Sequence, residues 1–130
     1  MGHDTRLLVV HDEDAIRALL LTVLRRRGFH VDTAGNTAEG IEKLRSSRYG
    51  VVLLDLHDDD FLYEIASFAA EDRPTVIALI SRPGTRYLDP DLVAATIRKP
   101  FDVELLIDVV AQLLRKSGQG NREWQMNQES

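Results

Sequence analysis

Residues 51–55 read VVLLD, a run of apolar residues followed at once by an acidic one. Residues 7–12 repeat this arrangement as LLVVHD, and residues 75–81 form a similar run, TVIALIS. Uninterrupted apolar runs of this length predict strands that are buried on both faces, as the strands of a parallel sheet are. The polar residue at the end of each run marks where the strand leaves the core.

In the segments between these runs, apolar residues recur at the spacing of a helix. Residues 15–27 carry apolar side chains on one helical face, and Gly28 follows them as a stop signal. Asn36, with Glu39 three residues later, predicts the capped start of a second helix. Asp102 can cap a final helix. A third helix is expected to carry on one side Leu62, Ile65, Phe68 and Ala69.

Two weaker strands complete the alternation. Residues 29–34 are partly polar and are expected at a sheet edge, and residues 95–97 are expected to form a short last strand. Residues 82–91 contain two prolines and a glycine, which predicts mostly loop. Strands joined by helices imply one α/β domain, residues 1–117, whose parallel sheet has helices on both faces. Residues 118–130 are polar and are expected to be a tail or the start of a linker.

The composition restricts the function before any motif is considered. The 130 residues are 44% hydrophobic and 28% charged, which is ordinary for a globular domain. Cysteine is absent, so disulfides and thiolate sites are excluded. The net charge of −5 disfavours direct binding to nucleic acid. We find no apolar stretch of the length of a signal peptide or a membrane span, so a cytoplasmic location is expected.

Polar side chains follow several of the expected strands at the point where each strand ends. In an open parallel sheet, the functional crevice lies outside the carboxyl ends of the strands. This rule brings together His11, Asp12, Asp55, Ser81 and Lys99. Two carboxylates in one crevice favour a hard divalent cation such as Mg²⁺. Asp55 could then act as a nucleophile and accept a phosphoryl group. The oxygens of that phosphoryl group could contact the Ser81 hydroxyl and the Lys99 ammonium.

The segments LLVVHDED, VVLLDLH, VIALIS and IRKPF, in this order and spacing, resemble the signature segments of response-regulator receiver domains. The resemblance covers about residues 5–116. It implies a flavodoxin-like, doubly wound five-stranded parallel sheet of order 2-1-3-4-5. The short, proline-containing segment after the fourth strand leaves the fourth helix short or absent. A signalling module is implied rather than an enzyme, one that at most catalyses its own phosphorylation and dephosphorylation.

Roles follow when the resemblance is carried over residue by residue. Asp55 would be the phosphoacceptor, and Asp12 and Asp55 would be Mg²⁺ ligands. His57 would add a metal-binding backbone carbonyl. Ser81 would supply the switch hydroxyl, and Lys99 would contact the phosphoryl group.

The resemblance also implies partners. A histidine kinase or a phosphotransfer protein would donate the phosphoryl group, and an unknown output partner would respond to it. Homodimers are possible, and neither nucleic acid nor a membrane is expected as a direct partner. Pro100 would follow a cis peptide bond, which usually marks a fixed turn.

Several residues depart from the pattern of the family. His11 replaces the first of two acidic residues, and it is either functional or a polar residue tolerated at the rim of the crevice. Residues 58–60 form an acidic loop in place of the usual turn after the phosphoacceptor. Arg82 stands where the family keeps a small residue, and it would either screen Asp55 from phosphoryl donors or pair with the phosphate or an acidic neighbour. Thr96 occupies the position of a switching aromatic residue, which leaves the usual output route open to question.

Two functions therefore stay open on the sequence alone. The first is phosphorelay signal transduction, in which phosphorylation of Asp55 switches partner binding. The second is an interaction scaffold that resembles a receiver but works without phosphorylation. It is favoured by His11, Arg82, Thr96 and the short or absent helix after the fourth strand. A phosphatase on a related fold is disfavoured, because the segment DLH at residues 55–57 lacks a second aspartate and no glycine-rich phosphate loop follows the first strand.

Overall fold

The structure is a computed structural model that describes residues 6–55, 60–80 and 89–119. Its elements are β1 (Arg6–Val10), α1 (Asp14–Arg26), β2 (His30–Ala34), α2 (Thr37–Ser46), β3 (Val51–Asp55), α3 (Asp60–Ala66), a short 3-10 turn (Ala70–Asp72), β4 (Thr75–Ile80), β5 (Val93–Arg98) and α4 (Val103–Gln119). All neighbouring strands are parallel, in the order β2-β1-β3-β4-β5. The predicted doubly wound sheet is confirmed, with β2 at an edge.

Apolar residues of the inner strands are buried because helices cover both faces of the sheet. Residues 7–10 of β1 and 51–54 of β3 are at most 3% exposed. On one face α2 and α3 pack against the sheet, and on the other face α1 and α4 do. Each fully buried leucine, valine or phenylalanine stabilises the fold by about 1.5–3 kcal/mol. The two helix layers therefore stabilise the inner strands, whose carboxyl ends carry the polar residues.

Helix ends follow the signals in the sequence. The backbone N–H of Glu39 donates a hydrogen bond to Oδ1 of Asn36 at 2.8 Å, which caps α2. The Glu39 carboxylate accepts a bond of 2.8 Å from the N–H of Gly35, one residue earlier than an ideal capping box requires. Gly28, with φ of 92°, ends α1 in a conformation that favours glycine. Asp102 Oδ1 accepts a bond of 2.9 Å from the N–H of Glu104 at the start of α4.

The third helix is shorter than the sequence pattern predicts. It ends at Ala66, so the prediction that Phe68 and Ala69 lie on its apolar face is wrong. The guanidinium of Arg73 donates hydrogen bonds to the carbonyls of Ala66 at 2.8 Å and Phe68 at 3.1 Å. These bonds satisfy the end of the helix without a further turn. Phe61, which the pattern did not select, is buried in the core instead.

The fifth strand is longer than expected, because β5 pairs with β4 from Val93 to Arg98 rather than over residues 95–97 alone. The described residues that precede it, 89–92, form a turn and contain no helix. Helix α4 continues to Gln119, the last described residue, so it passes the expected domain boundary at residue 117, which stays a prediction. Among the described helices, none has the length and apolar character to cross a membrane.

Candidate functional site

The carboxyl ends of β1, β3 and β5 bring polar side chains to one edge of the sheet. Asp55 is the last residue of β3, His11 and Asp12 directly follow β1, and Lys99 directly follows β5. Strand β3 lies between β1 and β4, and β4 lies beside β5. Asp55 is therefore placed between the residues of the first strand end and Lys99.

Asp55 and Lys99 form an ion pair between Oδ1 and Nζ. Asp55 is 6% exposed, and the side chain of Lys99 is 22% exposed. Removing a carboxylate from water is costly unless a cation and hydrogen bonds compensate its charge. Lys99 supplies that cation directly beside the buried carboxylate of Asp55, the group that would act as a nucleophile at this strand end.

The backbone around His11 is held by bonds from two neighbouring elements. Its N–H donates to the carbonyl of Ala34 in β2 at 3.1 Å, which extends the sheet by one residue. Its carbonyl accepts a bond of 2.8 Å from Nη1 of Arg17 in α1. The side chain is 1% exposed, so His11 lies inside the site rather than at its rim, and a functional role for it stays a prediction.

The imidazole of His11 has a defined orientation and tautomer. Its Nδ1 accepts a hydrogen bond of 3.1 Å from the backbone N–H of Glu13. In a neutral imidazole one nitrogen accepts and the other carries the proton, so the proton lies on Nε2. Nε2 lies 3.6 Å from Oδ2 of Asp55, which is longer than a hydrogen bond. Nε2 has no hydrogen-bond partner within the described part of the chain.

Burial lowers the pKa of His11 below its ordinary value of 6.5. The nearby Asp55 carboxylate acts in the opposite direction, the Lys99 ammonium lowers the pKa further, and Asp12 and Glu13 raise it. The effect of burial prevails, because the charged imidazolium would lose its hydration in a site with almost no exposure. His11 is therefore neutral near pH 7.

Three groups could hold a metal ion: ligand atoms of His11, Asp12 and Asp55 all lie within 4.8 Å of one another. Mg²⁺ takes oxygen ligands and keeps several waters. The two carboxylates fit that preference, and Asp12, with 61% of its side chain exposed, leaves room for water. The imidazole does not fit as a Mg²⁺ ligand, since Nδ1 already accepts a hydrogen bond and Nε2 carries the proton. A Mg²⁺ ion would thus be held by the carboxylates.

The structure places only some of the other residues that were selected from the sequence. Thr96 lies on β5, where it is exposed and pairs with Ala78 of β4. The Lys99–Pro100 peptide bond is cis. His57, Ser81 and Arg82 lie outside the described residues, as do residues 58 and 59 of the acidic loop.

The sequence interpretation missed Arg17. Its guanidinium bonds both the carbonyl of His11 and, at 2.6 Å, the carboxylate of Asp14. Asp14 and Arg17 are three residues apart in α1, a spacing that places side chains together on a helix. That spacing could have predicted the ion pair of Asp14 and Arg17. It does not indicate that Arg17 also donates a hydrogen bond to the carbonyl of His11 at the end of β1.

Known proteins with similar sequences are response regulators. The chain is 30% identical over 125 residues to the response regulator ArlR of Staphylococcus saprophyticus, a match that covers 90% of this chain and 56% of that protein. ArlR of Staphylococcus aureus is 29% identical over 123 residues, which cover 88% of this chain and 55% of that protein. The chain thus spans about half the length of these curated relatives. No family model matches the chain.

Solved structures with the same fold include response-regulator proteins. The response regulator TrrA of Thermotoga maritima, in complex with Mg²⁺ and BeF, is 29% identical with a TM-score of 0.71, over 84% of this chain and 98% of that chain. A CheY-like receiver domain from Methanospirillum hungatei is 26% identical with a TM-score of 0.74, over 84% of this chain and 93% of that chain.

Proposed function

Because this chain belongs to the response-regulator receiver domains, we propose that Asp55 accepts a phosphoryl group and that the modified domain changes its affinity for a partner. The observation that carries the proposal is the buried ion pair of Asp55 and Lys99 at the end of β3. The pair places a carboxylate that can attack phosphorus next to a cation that can offset the charge of the phosphoryl oxygens.

The chemistry is a transfer from a phosphohistidine to the carboxylate. An oxygen of Asp55 attacks the phosphorus, the P–N bond breaks as the new P–O bond forms, and its electron pair returns to the donor imidazole. The product is an acyl phosphate. The ammonium of Lys99 offsets negative charge on the phosphoryl oxygens during the transfer.

Asp12 and Asp55 would hold Mg²⁺ at this site. The metal would supply charge neutralisation for the phosphoryl oxygens. The cluster of ligand atoms within 4.8 Å supports this assignment, and the TrrA complex offers a precedent in a similar protein. The family resemblance adds a switch hydroxyl from Ser81 and a backbone carbonyl from His57.

The phosphoryl donor would be a histidine kinase or a phosphotransfer protein. Thr96, an exposed residue of β5, stands where the family places a switching aromatic side chain. A response that depends on rotation of that ring is therefore not available to this chain. We infer that the output partner reads a different change at the sheet edge.

Phosphate incorporation from radiolabelled acetyl phosphate tests the function. The native chain should incorporate acid-stable, base-labile label, as an acyl phosphate does, and Asp55→Asn should abolish it. Asp60→Asn, which removes an exposed carboxylate at the start of α3, is the matched control and should incorporate label normally. Equal labelling of the native chain and Asp55→Asn would reject Asp55 as the phosphoacceptor.

A second candidate, a scaffold that binds its partner without phosphorylation, is favoured by one observation. The imidazole of His11 replaces an acidic metal ligand beside Asp55, so the metal site has fewer oxygen donors than the family pattern provides. A partner whose affinity is the same for the native chain, for Asp55→Asn and in the presence of a Mg²⁺ chelator would establish this second function instead.

A further inference from the structure

We propose that the Nε2–H of His11 donates a hydrogen bond to an oxygen of the phosphoryl group on Asp55, and so performs part of the charge compensation that the family assigns to metal. This inference rests on the proposed function of Asp55. It makes His11 a group that contacts the reacting atoms, where the family pattern has an acidic metal ligand.

The orientation of the donor is the first argument. The Glu13 N–H bonds Nδ1, while Ala34 and Arg17 hold the backbone of His11 on either side. The ring is thus fixed by contacts that do not involve Asp55, and its Nε2 lies 3.6 Å from Oδ2 of that carboxylate. A donor that is preorganised in this way does not have to be ordered when the phosphoryl group arrives.

The unused hydrogen bond is the second argument. His11 is only 1% exposed, yet its Nε2 has no hydrogen-bond partner among the described residues. A buried donor without an acceptor costs free energy, and such groups are rare in folded proteins. The separation of 3.6 Å from Oδ2 is too long for a direct bond. A phosphoryl group brings three further acceptor oxygens to this place.

The same tautomer excludes the obvious alternative, in which Nε2 binds a transition metal. A metal needs the lone pair of Nε2, and the proton would then have to lie on Nδ1. Nδ1 faces the backbone N–H of Glu13 at 3.1 Å, so a proton there would oppose another donor. The hydrogen bond from Glu13 therefore favours a donor at Nε2 over a metal ligand.

Beryllofluoride, which mimics a phosphoryl group on aspartate, provides the test. Its binding to the native chain and to two variants is measured by calorimetry and by ¹H–¹⁵N NMR, with excess Mg²⁺ and with a chelator. His11→Gln keeps an amide nitrogen near the position of Nε2. His11→Asn keeps an oxygen near the position of Nδ1, where it can accept from Glu13, but it does not extend to the position of Nε2.

We expect His11→Gln to bind beryllofluoride within about threefold of the native chain, and His11→Asn to bind roughly ten- to a hundredfold more weakly, the range for one hydrogen bond to a charged acceptor. Long-range ¹H–¹⁵N spectra of the native chain should show Nε2 protonated and Nδ1 unprotonated. The Nε2–H resonance should move when beryllofluoride binds. This last measurement needs no variant, so it holds even if one of them folds poorly.

The outcomes separate the inference from the proposed function. Native affinity in His11→Asn, or a native spectrum with the proton on Nδ1, would overturn the role of His11 and leave phosphorylation of Asp55 intact. A native chain that binds no beryllofluoride in excess Mg²⁺ would overturn both.

Discussion

The ring of Phe61 lies against the Cα atom of Gly40, so closely that a methyl group added to Gly40 would stand 2.8 Å from Cε2 of the ring. The same methyl group would lie 3.1 Å from a methyl group of Val10. Helix α2 can therefore approach both β1 and α3 only because this position has no side chain.

Gly40→Ala should destabilise the chain, although alanine is the better helix former. The gain in helix propensity is about 1 kcal/mol, and overpacking in a core costs about 1–3 kcal/mol. Phe61 is 1% exposed and cannot move into solvent, so we expect a net loss in the free energy of unfolding. Urea denaturation measures it. Glu42→Ala, at an exposed position of the same helix, is the control, and an equal or greater stability of Gly40→Ala would contradict the packing argument.

The ion pair of Lys99 and Asp55 gives a second prediction. Lys99→Met leaves the Asp55 carboxylate buried without its cation, which should cost about 3–5 kcal/mol of unfolding free energy. Asp55→Asn removes the charge that Lys99 compensates. The double variant should therefore lose less than the sum of the single variants, with a coupling of about 1–3 kcal/mol in urea denaturation.

An exposed pair provides the comparison for that cycle. Arg45 and Glu64 are 2.7 Å apart, and their side chains are 62% and 46% exposed. Arg45→Met should cost less than about 1 kcal/mol, because water screens such pairs. Additive effects of the two substitutions at Lys99 and Asp55 would mean that the buried pair does not stabilise the fold as argued.

Much of the fold could be predicted because it depends on local patterns. Apolar runs and polar strand ends predicted the parallel sheet, and Asn36 predicted the start of α2. The end of α3 could not be predicted, since Arg73 satisfies its last carbonyls from beyond the helix. The burial of Phe61 depends on Gly40, which is distant in sequence.

The candidate site divides in the same way. The polar residues at the strand ends of β1, β3 and β5 follow from topology, which brought His11, Asp12, Asp55 and Lys99 together. The state of His11 does not follow from topology. Its backbone is held by the carbonyl of Ala34, a contact that forms only when β1 and β2 pair. Its tautomer follows from the N–H of Glu13, a local contact whose geometry the residue pattern does not reveal.

His11 should make stability depend on pH. Its pKa is lowered in the folded chain, chiefly by burial, from the ordinary 6.5 that the unfolded chain retains. Below pH 6.5 the His11 imidazole takes up a proton in the unfolded chain but stays neutral in the folded chain until the lower folded pKa is reached. The free energy of unfolding therefore falls as the pH decreases from 6.5 toward the folded pKa. Above 6.5 this contribution is complete and constant. The slope cannot exceed about 1.4 kcal/mol per pH unit for one group.

Urea denaturation across this pH range, with a chelator present, measures the effect. His11→Gln should flatten the dependence below pH 6.5, since it removes the titrating group. His30→Gln makes the same substitution at an exposed histidine of β2 and serves as the comparison for the change of residue type. Parallel curves for the native chain and His11→Gln would show that His11 is not the group responsible.

Asp12 should determine Mg²⁺ affinity without determining stability. Its side chain is 61% exposed, so Asp12→Asn should change the free energy of unfolding by less than about 0.5 kcal/mol. The loss of one of two carboxylate ligands should weaken Mg²⁺ binding by at least about tenfold, as measured by calorimetry. Glu13→Gln makes the same change in net charge at the next position and keeps the backbone N–H that bonds His11, so it should bind Mg²⁺ almost normally. Equal weakening in both variants would mean that the ion responds to the general negative charge after β1 rather than to a ligand at Asp12.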